Sequence, residues 1–144
     1  MSRVLIASDH AGYKLKKILI EKLQGKIKFD DLGPFSENPV DYPDYAKKLS
    51  KKIDLKKDLL GVLICGSGIG MSMVANRFKN VRAALCMNNK MSILSRQHNN
   101  ANILVLGSRL ISEQEAIKCL LVFLKTKYEG GRHQARLDKI NLVK

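Results

Sequence analysis

The chain has few cysteines and no long hydrophobic run near its start. Its three cysteines lie far apart and form no C-x-x-C pair: Cys65, Cys86 and Cys119. This odd number predicts free thiols and argues against a disulfide framework or a structural zinc site. The first apolar stretch, from Val4 to Ala7, meets Asp9 almost at once and is too short for a signal peptide or a membrane span. We therefore expect a cytoplasmic protein.

Acidic and aromatic residues are also scarce. The chain has 13 Asp and Glu against 26 Lys and Arg, a net charge of +13, and only 6% aromatic residues. Six lysines lie in residues 47–58, where Ala46, Leu49 and Ile53 would form the apolar stripe of a helix. Since no aromatic residues interleave with these lysines, a solvated helix face is favoured over a nucleic-acid surface. A basic field would still attract anionic substrates.

Short apolar segments alternate with segments of helical periodicity. Strands are expected at RVLIAS, KIKFDDLG, LLGVLIC, RAALCM and NILVLG. Helices are expected at 13–24, across the lysine-rich segment, from the glycine loop to about 78, at 88–97 and from 112 to 125, followed by a basic tail from about 128. With 144 residues this pattern predicts a single domain over 1–144, an α/β fold with a five-stranded parallel sheet between helices.

Glycine and polar residues follow four of the five predicted strands. They are DHAG at 9–12, CGSGIG at 65–70, MNNK at 87–90 and GSRL at 107–110. Because parallel sheets bind ligands outside the carboxyl ends of their strands, this edge is the expected site. The loop GPFSENPVDYPDY, at 33–45, is long enough to contribute to it.

The glycine loop at 65–70 fails the tests for several chemistries. The dinucleotide motif G-x-G-x-x-G is broken at Met71 and follows the third strand instead of the first, which disfavours a nicotinamide cofactor. The P-loop motif G-x-x-x-x-G-K-[ST] does not occur, which argues against a P-loop NTPase. Met71 also stands where a cysteine phosphatase needs its arginine, and nothing resembles a peptide cleft. Proton transfer at carbon remains, because amides at a helix start suit an enediolate anion. The same helix end favours a Cys65 thiolate as base; a simply buried thiol is the alternative and is expected for Cys86 and Cys119.

Histidines and arginines add candidates for acid–base work and phosphate binding. Each of the three histidines lies beside the end of a predicted element: His10, His98 and His133. Arg132 and Arg136 are four residues apart and would share a helix face able to hold a phosphate, with ordinary surface charge as the alternative. Arg109, in the turn after the fifth strand, lies on the expected site edge.

Several motifs together resemble the family of ribose-5-phosphate isomerase type B and galactose-6-phosphate isomerase. They are SDHAG, VDYPDYA, ICGSGIGMS, ANR, RQHNNAN, LGSR and FLKTKYEGGRHQAR, in order from Ser8 to Arg136. The resemblance implies a Rossmann-like three-layer α/β/α sandwich that forms a homodimer or a dimer of dimers. It implies metal-independent interconversion of D-ribose 5-phosphate and D-ribulose 5-phosphate through a cis-enediol(ate), without a cofactor. Alternatives are allose 6-phosphate or galactose 6-phosphate as substrate, or a non-catalytic binder of sugar phosphate or nucleic acid.

The same resemblance implies roles for individual residues. Cys65 would move the proton between C1 and C2, His98 would open the sugar ring, and Ser67 with the loop amides would hold the enediolate. The implied substrate-binding residues are Asp9, His10, Tyr42, Gly66, Ser67, Gly68, Ile69, Gly70, Asn99, Arg109, Arg132 and Arg136. A branch of the family uses a glutamate just after the loop, where this chain has Met71, so the chain resembles the cysteine type. No metal ligand, nucleic acid or membrane partner is implied.

Overall fold

The computed structural model describes residues 1–143 and contains one parallel sheet with helices on both faces. The strands are β1 (Ser2–Ser8), β2 (Ile27–Asp31), β3 (Leu60–Cys65), β4 (Ala83–Leu85) and β5 (Ile103–Gly107). The helices are α1 (Tyr13–Leu23), α2 (Tyr42–Leu55), α3 (Ile69–Ala75), α4 (Asn89–Asn99), α5 (Glu113–Lys125) and α6 (Arg132–Ile140). The strand order is β2-β1-β3-β5-β4, with every neighbouring pair parallel. The predicted α/β fold with a five-stranded parallel sheet is confirmed.

Alternate side chains of the central strands enter two separate cores. One core packs against α1 and α5 and includes Val4, Ile6, Val62, Ile64, Leu104 and Leu106. The other packs against α2 and α3 and includes Leu5, Ala7, Leu63, Cys65, Ile103 and Val105. The period of two in an extended chain produces this division, and burial of each large side chain stabilises the fold by about 1.5–3 kcal/mol. It also directs Cys65, the last residue of β3, toward α2 and α3.

The lysine-rich segment forms α2 with the predicted buried stripe. Ala46, Leu49 and Ile53 are almost completely buried, and Gly61 in β3 leaves room for Leu49, since a Cβ there would lie 2.7 Å from its Cδ2 atom. The helix begins at Tyr42, inside the segment that we expected to be a loop. Pro43 is tolerated there because amides in the first turn of a helix have no intrahelical acceptor.

Two elements are shorter than the sequence suggests. Helix α3 ends at Ala75 instead of continuing to about Phe78, and β4 covers only Ala83–Leu85. The side chain of Asn76, just after α3, reaches the first residue of β4: its Nδ2 donates to the Ala83 carbonyl at 3.0 Å and its Oδ1 accepts the Ala83 N–H at 2.8 Å. The turn after α3 is thereby joined to the start of β4.

The helix starts at α4 and α5 are capped by the predicted residues, and the two caps are linked. Asn88 accepts the N–H of Met91 at 2.9 Å, and Ser112 accepts the N–H of Glu115 at 3.1 Å. Glu115 does not complete the predicted capping box, because its Oε1 accepts the N–H of Asn89 at 2.7 Å. Within residues 1–143, no helix is long and apolar enough to cross a membrane.

Candidate active site

Loops at the carboxyl ends of β1, β3 and β5 are joined by backbone hydrogen bonds. The N–H of Asp9 donates to the Ile64 carbonyl at 3.1 Å, and the N–H of Arg109 donates to the Gly66 carbonyl at 3.0 Å. These loops enclose a cavity of about 560 Å3, lined by Asp9, His10, Ala11, Tyr42, Cys65, Gly66, Ser67, Ile69, Gly70, Met73, Arg109 and Leu110. Its volume falls within the range of small-molecule sites, and it lies at the predicted edge of the sheet.

The Cys65 side chain combines burial with access to the cavity. Only 5% of the residue is exposed, yet it lines the cavity wall. Its Sγ accepts the backbone N–H of Gly68 at 3.1 Å. A donor in this position suits a sulfur that carries negative charge. The thiol is therefore held at the base of the cavity, with an amide directed at its reactive atom.

Two glycines give the loop after β3 its shape. Gly68 has a φ of 78°, in the left-handed region that side chains disfavour, and a Cβ there would lie 2.5 Å from Cδ1 of Leu85. A Cβ on Gly66 would lie 2.7 Å from Nη1 of Arg109. The Arg109 guanidinium therefore lies directly against the loop backbone, one residue from the thiol. A glycine is required at position 66 because the loop backbone and the guanidinium approach each other so closely.

Several side chains around the loop are available to a ligand. Arg109 is exposed and forms no ion pair with any residue of 1–143, so its guanidinium can bind an anion such as a phosphate. The Tyr42 ring lies where a side chain on Gly70 would begin. The Ser67 hydroxyl accepts the N–H of Ile69 at 3.2 Å and faces the same cavity.

Asp9 and His10, which line the same cavity, are oriented by backbone donors. Oδ1 of Asp9, which is 7% exposed, accepts the N–H of Gly12 at 2.9 Å. Nδ1 of His10 accepts the N–H of Val40 at 3.1 Å. The Val40 carbonyl oxygen lies 3.2 Å from the same nitrogen, so the backbone of Val40 can hold the ring in either neutral tautomer. Both side chains are thus held in a single orientation beside the thiol.

Lys16, which was not among the predicted functional residues, holds the loop that reaches His10. Its Nζ bonds to Oδ1 of Asp31 at 2.7 Å and to the Pro34 carbonyl at 2.5 Å. Burial lowers the pKa of the Lys16 ammonium, and Asp31 opposes this shift. The only signal in the sequence is that Lys16 adjoins the buried Leu15 stripe of α1.

A second cluster of functional groups lies where α4, the segment before α6 and the first turn of α6 meet. Nε2 of His98 is 3.6 Å and Nε2 of His133 is 3.8 Å from Oε1 of Glu129. The two imidazole rings stack, with centroids 4.5 Å apart and planes inclined by 17°. The pKa of His133 lies below its ordinary value, because burial strips water from the ring and His98, Arg132 and Arg136 add positive charge, against the opposing effect of Glu129.

This second cluster and the Cys65 cavity lie at opposite edges of the sheet. Helix α4 starts after the carboxyl end of β4 and returns antiparallel, so its 11 residues carry the chain about 16 Å away. Just past the end of α4, the Asn100 carbonyl accepts a hydrogen bond from Nε of Arg82 at 2.8 Å. Arg82 is the residue before β4. Asn99 lines a separate cavity with Arg82 and Ile140. No single chain brings the His98 imidazole to the Cys65 thiol.

The predicted site residues thus fall into two groups. The cavity group contains Asp9, His10, Tyr42, Cys65, Gly66, Ser67, Ile69, Gly70 and Arg109, with Gly68 beneath the thiol. The opposite edge carries His98 and Asn99 on α4 and Arg132 and Arg136 on α6. Glu129 was missed, since a single acidic residue in a basic tail gives no distinguishing signal.

Comparison with known proteins gives concordant results. Residues 4–140 match the family model described as Ribose/Galactose Isomerase. A Mycoplasma genitalium protein named "Probable ribose-5-phosphate isomerase B" is 50% identical over 141 residues, covering 95% of this chain and 92% of its own length. The similarity therefore extends over almost the whole of both chains.

Solved structures agree with this relationship. A ribose 5-phosphate isomerase from Thermotoga maritima superimposes with a TM-score of 0.95 at 48% identity, covering 99% of both chains. A ribose-5-phosphate isomerase B from Mycoplasma genitalium with bound ribulose-5-phosphate gives a TM-score of 0.92 at 48% identity, covering 96% of this chain and 93% of that one.

Proposed function

We propose that this chain, which belongs to the Ribose/Galactose Isomerase family, interconverts D-ribose 5-phosphate and D-ribulose 5-phosphate. It is an aldose–ketose isomerase, as its similarity to ribose-5-phosphate isomerase B proteins supports. The observation that carries the proposal is one cavity in which the Cys65 thiol, the amides of the glycine loop and the Arg109 guanidinium converge. These groups suit a base, an oxyanion and a phosphate, which are what the reaction requires.

In the proposed reaction, the Cys65 thiolate removes the proton on C2 of the open-chain aldose. The electron pair forms a C1–C2 double bond, and negative charge moves to the oxygen on C1. Backbone amides of the loop and the Ser67 hydroxyl stabilise this enediolate. Return of the proton from sulfur to C1, with transfer of the proton on O2 to the oxygen on C1, gives the ketose. The sulfur ends as a thiolate, so no external acid, cofactor or metal is consumed.

The phosphate end of the substrate extends toward the cations. Arg109 lies against Gly66 without an acidic partner among residues 1–143, so a phosphate would neutralise an otherwise unpaired charge. His10 and Asp9 are oriented to bind sugar hydroxyls or phosphate oxygens. The basic balance of the chain, +13 overall, favours capture of an anionic substrate.

Ring opening and the remaining phosphate contacts require a second copy of the chain. His98 and Asn99 lie at the far end of α4, whose 11 residues span about 16 Å, a length greater than that of a five-carbon sugar phosphate. Arg132 and Arg136 lie on α6, whose His133 stacks on His98 at that end. Large apolar side chains that line the cavity are also exposed, namely Ile69 at 47%, Met73 at 64% and Leu110 at 52%. Such a patch marks an interaction surface. A twofold homodimer would cover it and complete two identical sites reciprocally.

The whole chain, 1–144, is proposed to act as one isomerase domain in which the tail from about 128 supplies phosphate-binding residues. Its three free cysteines are typical of a reducing compartment, and we assign it to the cytoplasm. The proposed substrate assigns it to the pentose phosphate pathway.

The experiment that tests this function compares kcat/KM for ribose 5-phosphate, allose 6-phosphate and galactose 6-phosphate, with a chelator present throughout. We expect the pentose phosphate to be preferred and the chelator to leave turnover unchanged. A preference for either hexose phosphate would keep the chemistry and change the substrate. Binding without turnover, weakening steeply with added salt, would instead identify a non-catalytic binder.

A further inference from the structure

The His98 cluster has the composition of a metal site. Among residues 1–143, His98, Glu129 and His133 are the one group whose potential ligand atoms all lie within 4.8 Å of one another. The cluster offers two imidazole nitrogens and one carboxylate oxygen, a donor set used by zinc sites with three protein ligands and an open position. Neither Glu129 nor His133 has a part in the proposed reaction.

The distances within the cluster suit a small tetrahedral ion. Zinc bonds to nitrogen and oxygen of about 2.0–2.2 Å separate neighbouring ligand atoms by roughly 3.4 Å. The two His–Glu separations are 3.6 and 3.8 Å, and all three ligand atoms lie within 4.8 Å of one another, so side-chain rotations would bring them to this spacing. The His98 and Glu129 side chains are 40% and 48% exposed, which leaves a path from solvent and room for a bound water.

The cluster is held together by backbone and ring contacts before any ion arrives. The N–H of Glu129 donates to the Gln97 carbonyl at 3.0 Å, which fixes the acidic residue beside the end of α4. The N–H of His133 donates to the Gly130 carbonyl at 3.2 Å, and the His133 ring stacks on His98. The backbone that carries the three ligands is therefore already in place, which lowers the free-energy cost of binding. Binding then requires the two stacked rings to rotate until a nitrogen of each points at the ion.

We propose that His98, Glu129 and His133 bind Zn2+ or a similar ion, and that the bound ion withdraws His98 from the isomerase reaction. The second half rests on the proposed function. Two imidazoles with one carboxylate favour zinc-like ions over Mg2+ or Ca2+, which prefer oxygen ligands. Arg132 and Arg136 add positive charge near His133 and oppose a cation, so the site is reversible. The metal acts as an inhibitor, and catalysis itself remains metal-free.

The first experiment measures binding without relying on activity. Zn2+ and Co2+ are titrated into the Cys65→Ala variant by calorimetry and absorption spectroscopy, so that the reactive thiol is not a ligand. We expect one ion per chain and no thiolate-to-cobalt charge-transfer band. Glu129→Gln or His133→Gln in the same background should weaken binding by at least about tenfold. The control Asp138→Asn removes a carboxylate of α6 that lies outside the cluster, where its Oδ1 accepts a hydrogen bond from the Gln134 side chain. This variant should leave metal binding unchanged.

The proposed metal site would be refuted if neither ion binds. It would also be refuted if Glu129→Gln and His133→Gln leave the affinity unchanged. Glu129→Gln is nearly isosteric at an exposed position, so it remains informative even where His133→Gln reduces folding. These outcomes do not depend on turnover, and the site is therefore tested even if the chain fails to isomerise ribose 5-phosphate.

The second experiment tests inhibition in the chain with Cys65 intact. Turnover of ribose 5-phosphate is measured over a range of Zn2+ concentrations, each variant being compared with its own metal-free rate. We expect the wild-type protein to lose activity, to recover it with chelator, and to require at least about tenfold less Zn2+ than Glu129→Gln. Equal sensitivity of both proteins would assign the inhibition to Cys65 and refute withdrawal of His98.

Discussion

A site shared between two copies of the chain makes a quantitative prediction for mixed dimers. In the proposed homodimer, each catalytic centre takes Cys65 from one chain and His98 from the other. Cys65→Ala and His98→Asn should each impair both centres of their own homodimer. In a mixed dimer, one centre receives both substituted residues, and the other receives the native Cys65 and the native His98. One of its two sites is therefore intact.

The number of intact sites determines the expected turnover of the mixed dimers. A heterodimer purified through two different affinity tags should have about half the turnover of the wild-type dimer. Random exchange of equal amounts of the two variants makes about half of the dimers mixed, so the whole mixture should recover about one quarter of wild-type turnover. If Cys65 and His98 of the same chain worked together, no mixed dimer would contain an intact site.

The assay follows ketose formation from ribose 5-phosphate after the two variants are unfolded and refolded together. Each variant refolded alone provides the baseline, and size-exclusion chromatography checks that dimers form. Pairing Cys65→Ala with Arg109→Gln is the matched control, because both residues line one cavity and no mixed dimer regains an intact site. Activity of the Cys65→Ala and His98→Asn mixture at the baseline, with dimers present, would refute the shared site. So would equal recovery in the control pair.

The remaining predictions concern the three thiols and the glycine loop. Cys65→Ala should lower kcat by about 10²–10⁴-fold with little change in KM, because the base is lost while the binding groups remain; retained turnover would remove Cys65 from that role. Burial raises the pKa of Cys86 to about 11 and of Cys119 to about 12, so one thiol per native chain should react quickly with a disulfide reagent and all three after unfolding. In the unfolded chain these two thiols ionise near pH 9.0, at lower pH than in the folded chain. The free energy of unfolding should therefore fall as the pH rises above that value. Denaturant titrations should show a shallower fall for Cys119→Ala. Gly66→Ala should raise KM, because its Cβ would displace the Arg109 guanidinium that lies 2.7 Å away; an unchanged KM would argue against a phosphate at Arg109.

Much of the architecture could be predicted from the sequence because it depends on local periodicity. Runs such as VLIAS and LICG are typical of buried strands, and the stripe of Ala46, Leu49 and Ile53 is typical of the inner face of a helix. Parallel strands then bring their carboxyl ends to one edge, which is why Cys65 and Arg109 were both expected at that edge. The error at Tyr42, expected in a loop and found in α2, arose because a proline marks a helix start as well as a turn.

The sequence by itself determined which residues follow the carboxyl ends of the strands, since the alternation of strands and helices predicts a parallel sheet. Only the tertiary structure decided which groups meet across long stretches of chain. Lys16 reaches Asp31 and Pro34, and Glu129 lies between His98 and His133, through the packing of loops whose conformations no periodicity specifies. The same packing carries His98 to the opposite edge from Cys65, because a helix that follows a parallel strand must run back along the sheet before the next strand can begin.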